Sequence, residues 1–213
     1  MVVACVVLFK LKYPTYAYRY RMTVNVVVDG QVHSGSSVIE ARVSKQPVFL
    51  GTVNPIEHSV LGEAVFVDVV GGPSIVALLT SGVAGQNADF PSRIVPSHFK
   101  LDLLKGTALA RLPDLSGSWD LSSAEFPTFV VFDRPGDPSS SRIVRPDETF
   151  QISGRSVRIA GVRVEMTTDQ ITHSIESKLG WWKNSGRPAL IALQAAGLKT
   201  GASIDAEFVF KRN

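Results

Sequence analysis

The sequence predicts an α+β, β-rich fold: mostly antiparallel sheets built from hairpins, with one or two short helices in the C-terminal third. Three observations carry this. First, Tyr16, Tyr18, Tyr20 and Met22 alternate with Ala17, Arg19, Arg21 and Thr23, the period of a half-buried strand. Second, apolar runs are joined in pairs across Asp29-Gly30 and Gly71-Gly72-Pro73. Third, Ile171, Ile175 and Leu179 recur every four residues, the spacing of one helix face.

Asp-Gly suits a type I′ turn because both central residues tolerate positive φ, so residues 16–43 form a long hairpin. Residues 44–55 contain Pro47 and Pro55 and read as a connection, with a short strand at 48–50. Residues 62–70 and 74–80 form a second hairpin, with Pro73 at a strand start where its missing N–H is tolerated. Residues 81–91 are a Gly/Asn/Asp loop. A short helix fits within 91–104, and 112–126 reads as irregular. The apolar run 127–132 is a buried strand, 133–141 a surface turn, and 142–145 an edge strand before Pro146.

Residues 157–166 alternate, but the phase slips at Ala160-Gly161, which predicts a bulge. A helix is expected over 169–179, capped by Thr168 or Asp169 and ended by Gly180. Residues 188–196 read as a second helix or a strand, and 202–210 as a closing strand.

The chain has 213 residues, 45% apolar and 19% charged, a globular composition. Its 22 Lys and Arg exceed its 19 Asp and Glu by three, yet Lys10, Lys12, Arg19 and Arg21 all precede the first acid, Asp29. The excess therefore belongs to the N-terminal segment, and the body lacks the electrostatic footprint of a nucleic-acid binder. Cys5 is the single cysteine, so intrachain disulfides and thiolate zinc clusters are excluded.

Residues 2–9 are unbroken apolar, followed by Lys10, Leu11 and Lys12. Three readings compete: a short buried strand or tail; the remaining end of a membrane helix; and a lipoprotein box at Val2-Val3-Ala4-Cys5. The second is preferred. Lys10, Lys12, Tyr13 and Tyr16, with Tyr18, would then form a membrane-interface belt. The expected division is thus an N-terminal segment, 1–15, and one β-rich domain, 16–213.

Among motifs with a chemical mechanism, a P-loop, a dinucleotide-binding glycine fingerprint, His-Glu-x-x-His and Gly-x-Ser-x-Gly are all missing from the sequence. No catalytic, cofactor-binding or metal-binding residue is therefore assigned. On the expected helix, His173 would share a face with Asp169 and Glu176, a conceivable ligand set that reads better as a solvated polar face. Asp133, Asp137, Asp147 and Glu148 are the residue types that bind Ca²⁺, but their spacing fits turn-capping carboxylates better. Trp181-Trp182 combine an apolar body with a polar edge: both rings pack in the core, or one marks a partner surface.

The motif Tyr18-Arg-Tyr-Arg-Met-Thr-Val24 followed by Gly35-Ser-Ser-Val-Ile-Glu40 resembles the opening of a group of uncharacterised bacterial proteins. The similarity extends to Gly62-Glu-Ala-Val-Phe-Val-Asp68 and Leu179-Gly-Trp181. In that group a membrane segment directly precedes the Tyr-Arg-Tyr-Arg strand. The resemblance implies an anchor at residues 2–9 and a place in the bacterial envelope, and it brings no catalytic residues. The expected function is a non-catalytic, membrane-tethered binding or structural module. Two alternatives stand beside it: a hydrolase or metal-dependent enzyme whose site is assembled from distant segments, and a soluble assembly component such as a phage or secretion-system subunit.

Overall fold

The computed structural model describes residues 12–47, 55–69, 72, 74–105, 107–134, 136–181, 191, 193–198 and 210–212. Its first hairpin is β1 (Thr15–Val28) and β2 (Gln31–Lys45), paired from Thr15↔Ser44 to Val28↔Gln31. Asp29 (φ 48°) and Gly30 (φ 84°) make the tight turn that their residue types favour. Every even residue of β1 from Tyr18 to Val28 is buried, because the pleat turns that set toward the core.

β3 (Ile56–Glu63) pairs with β2, and β10 (Arg155–Met166) pairs with the other side of β1, all antiparallel. β11 (Lys211–Arg212), β6 (Ser118–Asp120) and β9 (Thr149–Ile152) complete a sheet in the order β11-β3-β2-β1-β10-β6, with β9 beside β10. The register slips from Asn25↔Gly161 to Val26↔Ile159, leaving Ala160 unopposed at the predicted bulge.

A second sheet runs β4-β5-β7-β8, from β4 (Val65–Val67), β5 (Ser74–Ser81), β7 (Pro127–Phe132) and β8 (Ser141–Val144). Ile75, Ala77, Leu79, Phe129 and Val131 meet β1, β2 and β10 in the main core. Val76, Leu78, Val130 and Phe132 enter a second core with Ile175, Leu179, Trp181, Leu193, Leu198 and Phe210. Both faces of this sheet are covered, so β5 and β7 are apolar at successive positions instead of alternating. At about 25 cal/mol per Å² of apolar surface, these two layers are the main favourable term in the fold.

The two sheets approach closely at Gly35. A Cβ built there would lie 2.2 Å from the Phe66 carbonyl oxygen, so only glycine lets the β4 backbone pass. The expected second hairpin survives as β4–β5. Its first arm, expected as one strand over 62–70, is instead split: β3 ends at Glu63 and β4 starts in the other sheet. Gly62, at φ 135°, makes the corner. β3 also starts earlier than expected, at Ile56, because its outer half pairs with β2 from Lys45↔Ile56 to Glu40↔Leu61; only Ile56 and Val60 there are buried apolar residues, so the sequence pattern is sparse.

The expected helix over 169–179 is largely absent: only α2 (Ile175–Lys178) is helical. Where β3 turns away from β2, residue 172 takes its place. Thr172 N–H donates to the Val38 carbonyl (3.2 Å), and Val38 N–H donates to Thr172 Oγ1 (2.9 Å). Satisfying a sheet edge thus overrides a helical apolar spacing. Ile175 and Leu179 are still buried, as the stripe requires. Residues 191 and 193–195 are helical; the short strand expected at 48–50 and the closing strand over 202–210 lie outside the described residues.

Candidate functional site

The longest described helix, α1 (Phe90–His98), follows the loop after β5 and has Pro91 in its first turn, where a fixed φ is suited. Pro96 lies within it and has no N–H, so the Ser92 carbonyl loses its usual helical donor. The Tyr18 hydroxyl donates to that carbonyl at 2.9 Å, and the Tyr20 hydroxyl donates to the Pro91 carbonyl at 2.8 Å. Burial raises the pKa of both phenols, so they stay protonated donors. Two strand tyrosines therefore hold α1 on the sheet. Tyr18 is a core residue and not part of an interface belt.

Arg212 is buried and donates to the Leu79 (3.0 Å) and Ala88 (2.6 Å) carbonyls, fastening the loop ahead of α1. Burial lowers its guanidinium to about 10, still charged at neutral pH.

Beside α1 lies an open groove of about 540 Å³, with Phe90 and Ile94 in its wall and Gln86, Asn87, Arg93 and Glu125 around them. Arg93 pairs with Asp89 at 3.2 Å across one helical turn. Glu125 accepts from the Ser122 hydroxyl (2.7 Å) and backbone N–H (3.0 Å), which hold its carboxyl below the usual carboxylate range. The groove thus gathers one guanidinium, two carboxylates and two amides around an apolar patch.

A second site forms at the end of the large sheet where β1 starts and β2 ends. Lys12, Tyr13, Lys45, Gln46 and Leu104 surround a hollow of about 320 Å³. Lys12 is exposed, with its Nζ 5.7 Å from the Tyr13 ring centre; Tyr13 and Tyr16 are half-buried. Lys10 lies outside the described residues. Sequence spacing singled out Lys12, Tyr13 and Tyr16 but could not add Lys45 and Leu104, which only the tertiary fold brings there.

The Trp181 ring is buried 5.8 Å from Phe132 and 6.1 Å from Phe210, centre to centre, so it faces the second core and not a partner surface. Trp182 lies outside the described residues.

With the long helix gone, His173, Asp169 and Glu176 do not share a helix face. Asp169 pairs with Arg21, Glu176 with Lys211, and His173 is exposed. Asp137 caps the turn Pro138–Ser140 by accepting from Ser139 N–H (2.9 Å), and it pairs with Arg134. The Ser139 hydroxyl and Arg134 lower its carboxyl to about 2. Among the described residues, no group of three or more His, Cys, Asp and Glu side chains is placed to hold a metal ion.

Sequence reasoning missed a buried carboxylate, Glu63, at the corner between the sheets. It accepts from the backbone N–H groups of Ser174 (2.7 Å) and Ile175 (3.0 Å) and from the Ser174 hydroxyl (2.8 Å). Its own carbonyl accepts from the Ser37 hydroxyl at 2.8 Å. The only local signal was an acid beside Gly62 within an apolar run.

Among the described residues, no helix is long and apolar enough to cross a membrane. No protein-family model, no curated protein and no solved structure matches the chain.

Proposed function

We propose that the chain is a non-catalytic binding module tethered to a membrane, with the α1 groove as its ligand face. One observation carries the tether: Lys12, Tyr13, Lys45 and Leu104 are gathered at the end of the sheet where β1 begins. In this reading the apolar residues 2–9, which precede Lys12 in sequence, are the anchor, and the basic and aromatic groups would meet the interface. The resemblance to bacterial proteins with a membrane segment ahead of the Tyr-Arg-Tyr-Arg strand supports the same reading and a bacterial envelope location.

The four histidines are carried by separate elements, and none of them is needed by the binding reading. His33, His58, His98 and His173 lie on β2, on β3, at the end of α1 and ahead of α2. His98 stacks on Trp119 at 3.9 Å between ring centres, a packing role for the imidazole.

Fractionation of cells expressing the full gene product from its native start tests the tether. The protein is expected in the membrane pellet, released by detergent but not by high salt. A product recovered wholly in the soluble fraction overturns the reading.

A further inference from the structure

We propose that the turn bearing Leu104, together with Lys12 and Lys45, is a second membrane contact that recognises anionic lipid headgroups. The inference rests on the tethered reading and adds lipid selectivity to it.

Leu101 and Leu103 are half-buried against the main core, whereas Leu104 is 64% exposed, among the most exposed large apolar side chains described. Its direction is imposed by the backbone. The Asp102 carboxylate accepts from Leu104 N–H at 3.1 Å, and the Asp102 carbonyl accepts from Lys105 N–H at 3.0 Å. This closed turn aims an apolar tip outward, so little freedom is lost when it inserts.

Lysines outnumber acids around that tip. Lys12 and Lys45 share its hollow, and Lys105 follows it in sequence, with its ammonium 3.5 Å from Asp102 at the foot of the turn. Asp102 is offset by Lys105 and Glu57 accepts from the Gln46 amide, so Lys12 and Lys45 leave a net positive balance around the hollow. An apolar tip ringed by basic residues is the arrangement that interfacial anchors use on anionic bilayers. It is also continuous with the N-terminal run, since Lys12 is three residues after Phe9.

Each basic residue near an anionic leaflet strengthens attachment several-fold, so two predict a preference of roughly thirtyfold. The experiment measures co-sedimentation of the full chain with two vesicle types: phosphatidylcholine alone, and phosphatidylcholine mixed with phosphatidylglycerol. Wild type should bind both and favour the anionic one. The double variant Lys45→Glu with Leu104→Glu should still bind neutral vesicles through residues 2–9 but lose the anionic preference. A milder pair, Lys45→Gln with Leu104→Ser, should show a partial loss, and equal urea midpoints would confirm intact folding. Equal wild-type binding to both vesicles overturns the inference and leaves the tether standing. A preference that survives in both folded variants overturns it as well. Binding to neither vesicle overturns the inference and the tethered reading together.

Discussion

The Cα of Gly35 on β2 faces the Phe66 carbonyl of β4 so closely that a Cβ would lie 2.2 Å from the oxygen. The contact fixes how near the two sheets come. It joins elements that the sequence presents as two separate hairpins.

Gly35→Ala should therefore be one of the costliest single-methyl additions in the chain. The obstacle is backbone, which cannot rotate aside, so overpacking of about 1–3 kcal/mol is expected. Urea melts would read this as a lowered midpoint with an unchanged slope. A neutral result would mean that the sheets lie further apart.

Glu63→Gln should destabilise the segment before α2 more than the sheets. The carboxylate accepts from the Ser174 and Ile175 N–H groups, and Gln retains one oxygen acceptor but brings a buried NH₂ against those donors. A loss of about 1–3 kcal/mol is expected. Faster amide exchange confined to residues around 172–179 would locate it, and unchanged exchange there would refute the cap.

His58 should make stability pH-dependent. Its Nδ1 is buried and has no hydrogen-bond partner in the structure. Burial lowers its pKa below the usual 6.5; Asp89 of the adjoining loop opposes this and Arg93 of α1 adds to it. The unfolded chain therefore takes up the proton first. The contribution from neutral His58 is fully present above about pH 6.5 and is lost as pH falls from there through the lower folded pKa. Between neutral and mildly acidic pH, the urea midpoint of wild type should fall further than that of His58→Leu. Parallel curves would count against it.

Ile175→Ala should cost about 2–5 kcal/mol, since Ile175 is 1% exposed in the second core. His173→Ala, at an exposed position, should change stability by less than about 0.5 kcal/mol. Urea melts of both compare a core position with a solvent-facing one. A large loss at His173 would mean that the segment is rotated from its present position.

Local patterns were enough wherever neighbours in sequence satisfied each other. The β1–β2 hairpin follows from tyrosine alternation and the Asp29-Gly30 turn, the bulge from the slip at Ala160-Gly161, and the buried β7 from its unbroken apolar run. Each rests on side-chain period or on backbone φ, properties that a short stretch carries by itself.

Other features depended on partners far along the chain. Thr172 lies extended because the Val38 backbone, 134 residues away, has an edge to fill, so a helical spacing gives way to a sheet contact. Tyr18 and Tyr20 are core donors because Pro91 and Ser92 present carbonyls more than 70 residues later. Neither the α1 groove nor the meeting of Leu104 with Lys12 and Lys45 is a property of any one segment. Hydrophobic period tells a residue which way to face, but it says nothing about which distant backbone group will need its hydrogen bond. Tertiary pairing decides that, because a buried polar group left unpaired costs more than local helix propensity can return.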